Sequence, residues 1–301
     1  MKVRVGFGLG TAGLGDMAAF GDVVDALEEG GWDSLWLSER ITGPAPDPLV
    51  ALAVAAGRTR RLKLGTSVLV LPGRNPVVLA KELASLDRLS GGRLLPAAGL
   101  GARDAGEHAA FAVDPSERGG RFDEALPLMR RLWTGETVTH EGRFYAVPGL
   151  RIGPRPVQDP LEVWLGGIAP AELRRVGRLG DGWLPSFITP EAAVDGRAAV
   201  EAAAAEAGRT IDPEHWGALV ICPDPDGPLP DRLTAVAALR APGTDAAHMF
   251  PRGPEATRRL LEDFVAVGFS KFVVVAAYEP ADWATEIARW GDVLLPLQKS
   301  R

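Results

Sequence analysis

Residues 64–101 read LGTSVLVLPGRNPVVLAKELASLDRLSGGRLLPAAGLG, and this stretch decides the fold. Leu64 to Leu71 is a continuous β-prone apolar run, the pattern of a strand covered on both faces. Asn75 supplies a helix N-cap, and Pro76 suits the first helical position, where no backbone N–H is needed. Leu79, Leu83 and Leu86 recur at helical spacing until Gly91-Gly92 stops the helix. Leu94 to Ala98 opens a second apolar run, and Gly99-Leu100-Gly101 at its tip lets backbone approach a neighbour closely. The unit is strand, helix, strand.

The same alternation extends in both directions. Val3 to Gly8 and Ser34 to Leu37 read as strands, with helices from about Asp16 and over Leu49 to Arg58. Further on, Arg121 to Trp133 is helical, with Phe122, Leu126, Met129 and Leu132 on one stripe. Leu161 to Leu165, Trp183 to Phe187, Trp216 to Ile221 and Phe269 to Ala276 are strands. Helices follow from Pro170, Pro190, Pro254 and Trp283. Roughly eight strands, each followed by a helix, predict an α/β fold of the (β/α)8 TIM-barrel type rather than an open doubly wound sheet. Two connections are long. Val138 to Pro160 holds Gly142-Arg143-Phe144-Tyr145, a hairpin candidate, and proline-rich Pro223 to Gly253 reads as a long insertion after strand seven, a lid or excursion. No linker divides the chain, so residues 1–301 are expected to form a single barrel domain.

Hydrophobic residues make up 46% and charged residues 24%, enough for a sizeable core and unlike a disordered chain. The net charge of −6 is spread along the sequence, and no Lys/Arg run marks a nucleic-acid surface. One cysteine, Cys222, excludes an internal disulfide and suits a reducing compartment. The start is broken by glycine and too short for a signal peptide, and no apolar run is long enough to cross a bilayer. These features predict a cytoplasmic protein that binds neither nucleic acid nor membrane. The four histidines have no ligand spacing, so no metal is expected, and no Gly-x-Ser-x-Gly elbow is present.

In a parallel barrel, chemistry sits at the carboxyl ends of the strands. Strand two ends in Ser38-Glu39-Arg40, which by residue type alone is either a surface ion pair or a pair at the barrel mouth. Gly99-Leu100-Gly101 is not a dinucleotide fingerprint, because the third glycine of that spacing falls on Asp104. Gly166-Gly167-Ile168-Ala169-Pro170 is either a plain strand-to-helix turn or an anion site made by free N–H groups at a helix start. Seven of the eight tryptophans read as packing; Trp183, at a strand end, is the one expected to line a pocket.

The run Leu86-Asp87-Arg88-Leu89-Ser90-Gly91-Gly92-Arg93, with the Asn75-Pro76 start and the Gly-x-Gly tip, resembles the signature of the luciferase-like flavin and deazaflavin oxidoreductases. Asp33-Ser34-Leu35-Trp36 and Gly180-Asp181-Gly182-Trp183 are most similar to the branch that uses coenzyme F420. The resemblance implies a luciferase-like barrel transferring hydride between F420 and a small organic substrate, with Glu39 and Arg40 as the catalytic pair. Much of the family has histidine after the acid, where this chain has Arg40, suited to stabilising a reduced, anionic ring. The resemblance also implies a bulge with a cis Ser67-Val68 peptide behind the ring. Gly99, Gly101 and Trp183 would lie near the cofactor, and Gly166-Gly167 would take its phosphate. In the sugar-phosphate dehydrogenase branch a catalytic glutamate follows the second glycine. Here Ala102 stands there, which argues against a sugar phosphate, and Glu107 downstream is expected to pair with Arg118 or Arg121. Two alternatives stay open: an FMN-dependent monooxygenase fed by a separate cofactor reductase, and a homologue that binds flavin or deazaflavin without turnover. The family commonly pairs barrels through helices beside strands two and three, which implies a homodimer.

Overall fold

The computed structural model describes residues 1–11, 14–102 and 104–299. Eight parallel strands form its centre: β1 (Arg4–Gly8), β2 (Ser34–Leu37), β3 (Lys63–Thr66, resuming as Leu69–Val70), β4 (Leu94–Leu95, resuming as Ala97–Gly99), β5 (Trp164–Leu165), β6 (Gly182–Trp183), β7 (Gly217–Cys222) and β8 (Lys271–Ala276). Ladders join β1 to β2, β2 to β3, and so on to β6, and they join β7 to β8 and β8 to β1. Single bridges, Trp183 to Trp216 and Ser186 to Leu219, connect β6 to β7 and close the ring. The architecture is the α/β barrel that the alternation predicts.

Several strands are shorter than their apolar runs. Leu64–Leu71 is not continuous: the ladder stops at Thr66 and resumes at Leu69, with the cis Ser67-Val68 peptide between. Pro96 interrupts β4 because it has no N–H to donate. The Thr66 hydroxyl bridges the gap, donating to the Ala97 carbonyl (2.8 Å) and accepting from the Ala97 N–H (2.9 Å). Leu161–Leu165 contracts to Trp164–Leu165, and the strand expected over Trp183–Phe187 is Gly182–Trp183, overlapping it only at Trp183.

The sequence signature is structural in this molecule. Asn75 caps the helix Pro76–Ser90 by accepting from the Val77 N–H (2.9 Å) and the Val78 N–H (3.3 Å). Asp87 is fully buried and accepts from the Val157 N–H (2.6 Å), the Gln158 N–H (3.0 Å) and the Gln158 side-chain amide (2.6 Å). Arg93 donates to the carbonyls of Ala56, Thr59, Leu62 and Ser90. These two residues tie the helix to the loop before β5 and to the end of the helix Pro48–Arg58, so that the β3–β4 unit keeps its place in the ring.

The barrel interior is filled from below. Trp36 is 1% exposed and packs with Trp164, Ala97, Leu184, Val273 and Val275 inside the ring. Its indole fits because Gly65 faces it: a Cβ there would lie 2.3 Å from the ring. At the amino ends of the strands, Asp33 binds Lys63 (3.0 Å) and Lys271, and Lys271 also donates to the Ser34 hydroxyl (3.1 Å). Burial draws the Lys271 ammonium down to about 8, against the pull of Asp33.

The Val138–Glu141 and Ala146–Leu150 strands form the anticipated antiparallel hairpin. Three α-helices were not anticipated: Ala105–Phe111, the short Pro296–Lys299, and Asp231–Arg240 within the proline-rich segment after β7. That segment has a core of its own, in which Leu233, Ala237, Met249 and Phe250 pack against Phe187 and Ile221 of the barrel. Among the described residues no helix is long and apolar enough to cross a membrane.

Candidate functional site

A cleft of about 370 Å³ opens at the carboxyl ends of the strands, within the size range of small-molecule sites. Its floor is apolar, made by Val68, Leu184, Leu219, Ile221 and Val275, directly above the interior tryptophans. One wall is backbone, from Gly99 to Ala102. Val68 is set between two glycines: a Cβ on Gly99 would lie 2.7 Å from its Cγ2, and one on Gly166 3.3 Å from its Cγ1. Their bare backbones let the Val68 side chain stand at the back of the cleft.

Of the residues singled out from sequence, Glu39, Ser67, Val68, Gly99, Gly101, Gly166 and Gly167 come together on this lining. Arg40 and Trp183 do not. The Arg40 guanidinium turns to Asp104 (3.4 Å) and approaches Glu107 (4.0 Å). Trp183 is fully buried outside the ring against Trp216 and Phe269. It reaches the site only through its indole N–H, which donates to the Gly167 carbonyl (2.8 Å).

Glu39 is 1% exposed in its side chain, accepts from the Val70 N–H (2.6 Å) and pairs with Arg74. Burial lifts its carboxyl above the ordinary value, outweighing the Arg74 charge and the Val70 hydrogen bond. A proton at the cleft wall is therefore held more tightly there than on a free glutamate.

Two expected pairings are replaced by others. Glu107 does not meet Arg118 or Arg121. It accepts from the Ile41 N–H (3.3 Å), the Thr42 N–H (2.9 Å) and the Thr42 hydroxyl (2.6 Å), tying the loop after β2 to the helix Ala105–Phe111 after β4. Arg118 instead donates to the Ala102 carbonyl (3.1 Å), and Arg121 pairs with Glu117 (2.8 Å). At the start of the helix Pro170–Leu179, the Ile168 and Ala169 N–H groups already donate to the Glu172 carboxylate (2.9 Å each). A side chain thus occupies the turn expected to take a phosphate. The sequence carried a signal for this, since a glutamate three residues into a helix is the capping-box position.

Residue-type reasoning missed Ser38, Glu172, Arg175 and Phe187, all on the lining. Ser38 donates to the Ser67 carbonyl (2.9 Å) and bridges β2 to the break in β3.

A barrel with its polar groups gathered around one apolar-floored cleft at the strand tips is an enzyme architecture able to seat a planar ring. The chain belongs to the luciferase-like monooxygenase family, whose model matches residues 2–264. Over 91% of its length it is 28% identical to an F420-dependent glucose-6-phosphate dehydrogenase of Beutenbergia cavernae, covering 91% of that protein. A second such dehydrogenase, from Kineococcus radiotolerans, is 36% identical over 173 residues, and the match spans only 50% of that relative and 54% of this chain. A 4-hydroxyprotoasukamycin monooxygenase of Streptomyces nodosus subsp. asukaensis is 33% identical over 65% of this chain and 56% of its own. Among solved structures, the monooxygenase RslO1 of Streptomyces bottropensis superposes with a TM-score of 0.77 at 26% identity, covering 97% of this chain and 99% of that one. An F420-dependent secondary alcohol dehydrogenase superposes with a TM-score of 0.81 at 20% identity over 99% of both chains, a likeness of fold.

Proposed function

We propose that this protein transfers hydride between coenzyme F420 and a small organic substrate. The observation that carries the reading is the placement of Val68 between Gly99 and Gly166, which makes a smooth apolar backing that a Cβ on Gly99 would displace. The end-to-end similarity to an F420-dependent dehydrogenase supports it. The cleft residues fit a planar ring, which Val68, Ser67 and the Gly99–Ala102 backbone would hold. When bound, the deazaflavin supplies the site that carries the hydride. The protein orients the reactants and excludes water. Glu39, buried on the lining, takes or returns the proton that accompanies hydride at the substrate. Arg40 acts at a distance, holding the loop that carries Glu39 through Asp104.

The second reading, FMN-dependent oxygenation fed by a separate reductase, draws support from the monooxygenases among the relatives. Parallel calorimetric titrations with F420 and FMN, each oxidised and reduced, separate the two. Tight binding of F420 with weak FMN supports hydride transfer; preference for reduced FMN replaces it with oxygenation. F420 binding without turnover of any substrate makes the protein a carrier, and binding of neither cofactor ends the oxidoreductase reading.

A further inference from the structure

We infer that the substrate is an uncharged, predominantly apolar molecule recognised at the Phe187 end of the cleft, and not a phosphorylated sugar. The inference rests on the hydride-transfer reading for the reaction but on the cleft alone for the chemistry of recognition.

Phe187 carries the first argument. Its φ is +57°, a left-handed conformation that a bulky side chain rarely adopts and that surrounding structure must hold. The conformation puts the ring on the cleft lining and against Phe250, edge to face at 6.0 Å. Phe250 is 2% exposed and belongs to the small core of the segment after β7. The second contact between that core and the cleft is Ile221, also on the lining. The segment therefore covers this end of the site with apolar atoms, and its own packing depends on the residues a substrate would touch.

Charge carries the second argument. Among the described residues, the ionisable side chains on the lining are Glu39, Glu172 and Arg175. Arg175 is committed: its Nε donates to Asp123 (2.5 Å), and its guanidinium lies over the Phe122 ring at 5.6 Å. Glu172 holds the helix-start N–H groups that would otherwise attract an anion. Among the described residues, a phosphate on this lining would meet only charged groups that already have partners, Glu39 with Arg74, Glu172 with the helix-start N–H groups and Arg175 with Asp123, and no uncommitted cation to offset its charge. The constraint applies to groups inside the cleft; a charged cofactor tail that stayed outside the mouth would not meet it. Ala102 on the backbone wall adds a methyl group and no side-chain hydrogen-bond partner.

The test titrates the protein by calorimetry, with and without F420, against a panel of uncharged alicyclic and aryl ketones and against glucose 6-phosphate. Ketones are expected to bind with a negative heat-capacity change, the mark of apolar burial, and glucose 6-phosphate to bind at least about tenfold more weakly. Phe187→Asn keeps a residue that tolerates left-handed backbone and removes the ring; it should weaken the ketones by about tenfold while the folded fraction, followed by circular dichroism, is unchanged. Phe250→Leu, behind the lining, should weaken them less. Tighter binding of glucose 6-phosphate, binding of neither class, or unaltered ketone affinity in Phe187→Asn overturns the inference. The F420 titration stands apart: its failure removes the hydride-transfer reading while the ketone arm still reports on the pocket.

Discussion

Val68 shows how much of this site depends on what its neighbours lack. Gly99→Ala puts a methyl group 2.7 Å from a β-branched side chain that has little room to turn. Urea unfolding should show a loss of about 1–3 kcal/mol, and F420 affinity should fall roughly tenfold as Val68 is pushed into the cleft. Glu39 gives a complementary expectation. Its carboxyl sits above the ordinary value because burial dominates, so substrate oxidation, which needs the ionised base, should rise with pH through an inflection above the usual carboxylate range. In Glu39→Gln that inflection should vanish from the kcat/KM profile, with a loss of about 10²–10⁴-fold in rate. A profile that keeps the inflection would assign it to another group. Most of these positions were legible from the sequence because each stands at a strand tip. Arg40 and Trp183 were not, because adjacency in sequence says nothing about which way a side chain turns. Arg40 follows an acid into the cleft wall yet bends outward to Asp104, and Trp183 belongs to the layer between sheet and helices.

At the scale of elements, the starts of β2, β3 and β8 are joined by one buried carboxylate. Burial works to raise the Asp33 carboxyl, but Lys271 and Lys63 outweigh it and hold it well below the usual range. A depressed carboxyl stabilises fully above its unfolded value of about 4, and its share is lost only as pH falls through the folded value. Asp33→Asn leaves Lys271 buried without a counter-charge and should cost about 3–5 kcal/mol near neutrality, with the gap to the parent protein narrowing only in strong acid. Adding Lys271→Met should recover much of the loss, because an apolar residue needs no partner there. Equilibrium denaturation of the three proteins across pH reads both effects. The element pattern itself was written plainly where caps and stops were strong, as at Asn75-Pro76 and Gly91. It was obscured where closure relies on two-residue strands, and where prolines on both sides of Asp231–Arg240 masked a helix with a weakly apolar face. The latter is the element that covers the proposed substrate end of the site.

For the whole molecule, the outer face of the helix Pro48–Arg58 is unusually apolar: Val50 is 65% exposed and Val54 50%, with Ala53 and Gly57 beside them. The neighbouring helix Pro76–Ser90 adds Val78, 53% exposed. We propose that a second copy of the chain covers this face. Sedimentation equilibrium should return a dimer, and the pair Val50→Asp and Val54→Asp should return a monomer; a monomeric parent protein would leave the face without a partner of its own kind. The interior tryptophans hold a different consequence. Trp36 and Trp164 lie in the same cluster as Val68 and Leu184, which form the cleft floor. A bound chromophore whose absorption overlaps indole emission would sit within a few side chains of both donors. Excitation energy should pass to it efficiently, so ultraviolet-excited emission becomes an intrinsic gauge of whether the barrel is loaded. Replacing Trp36 with phenylalanine should dim that gauge without touching the mouth of the site.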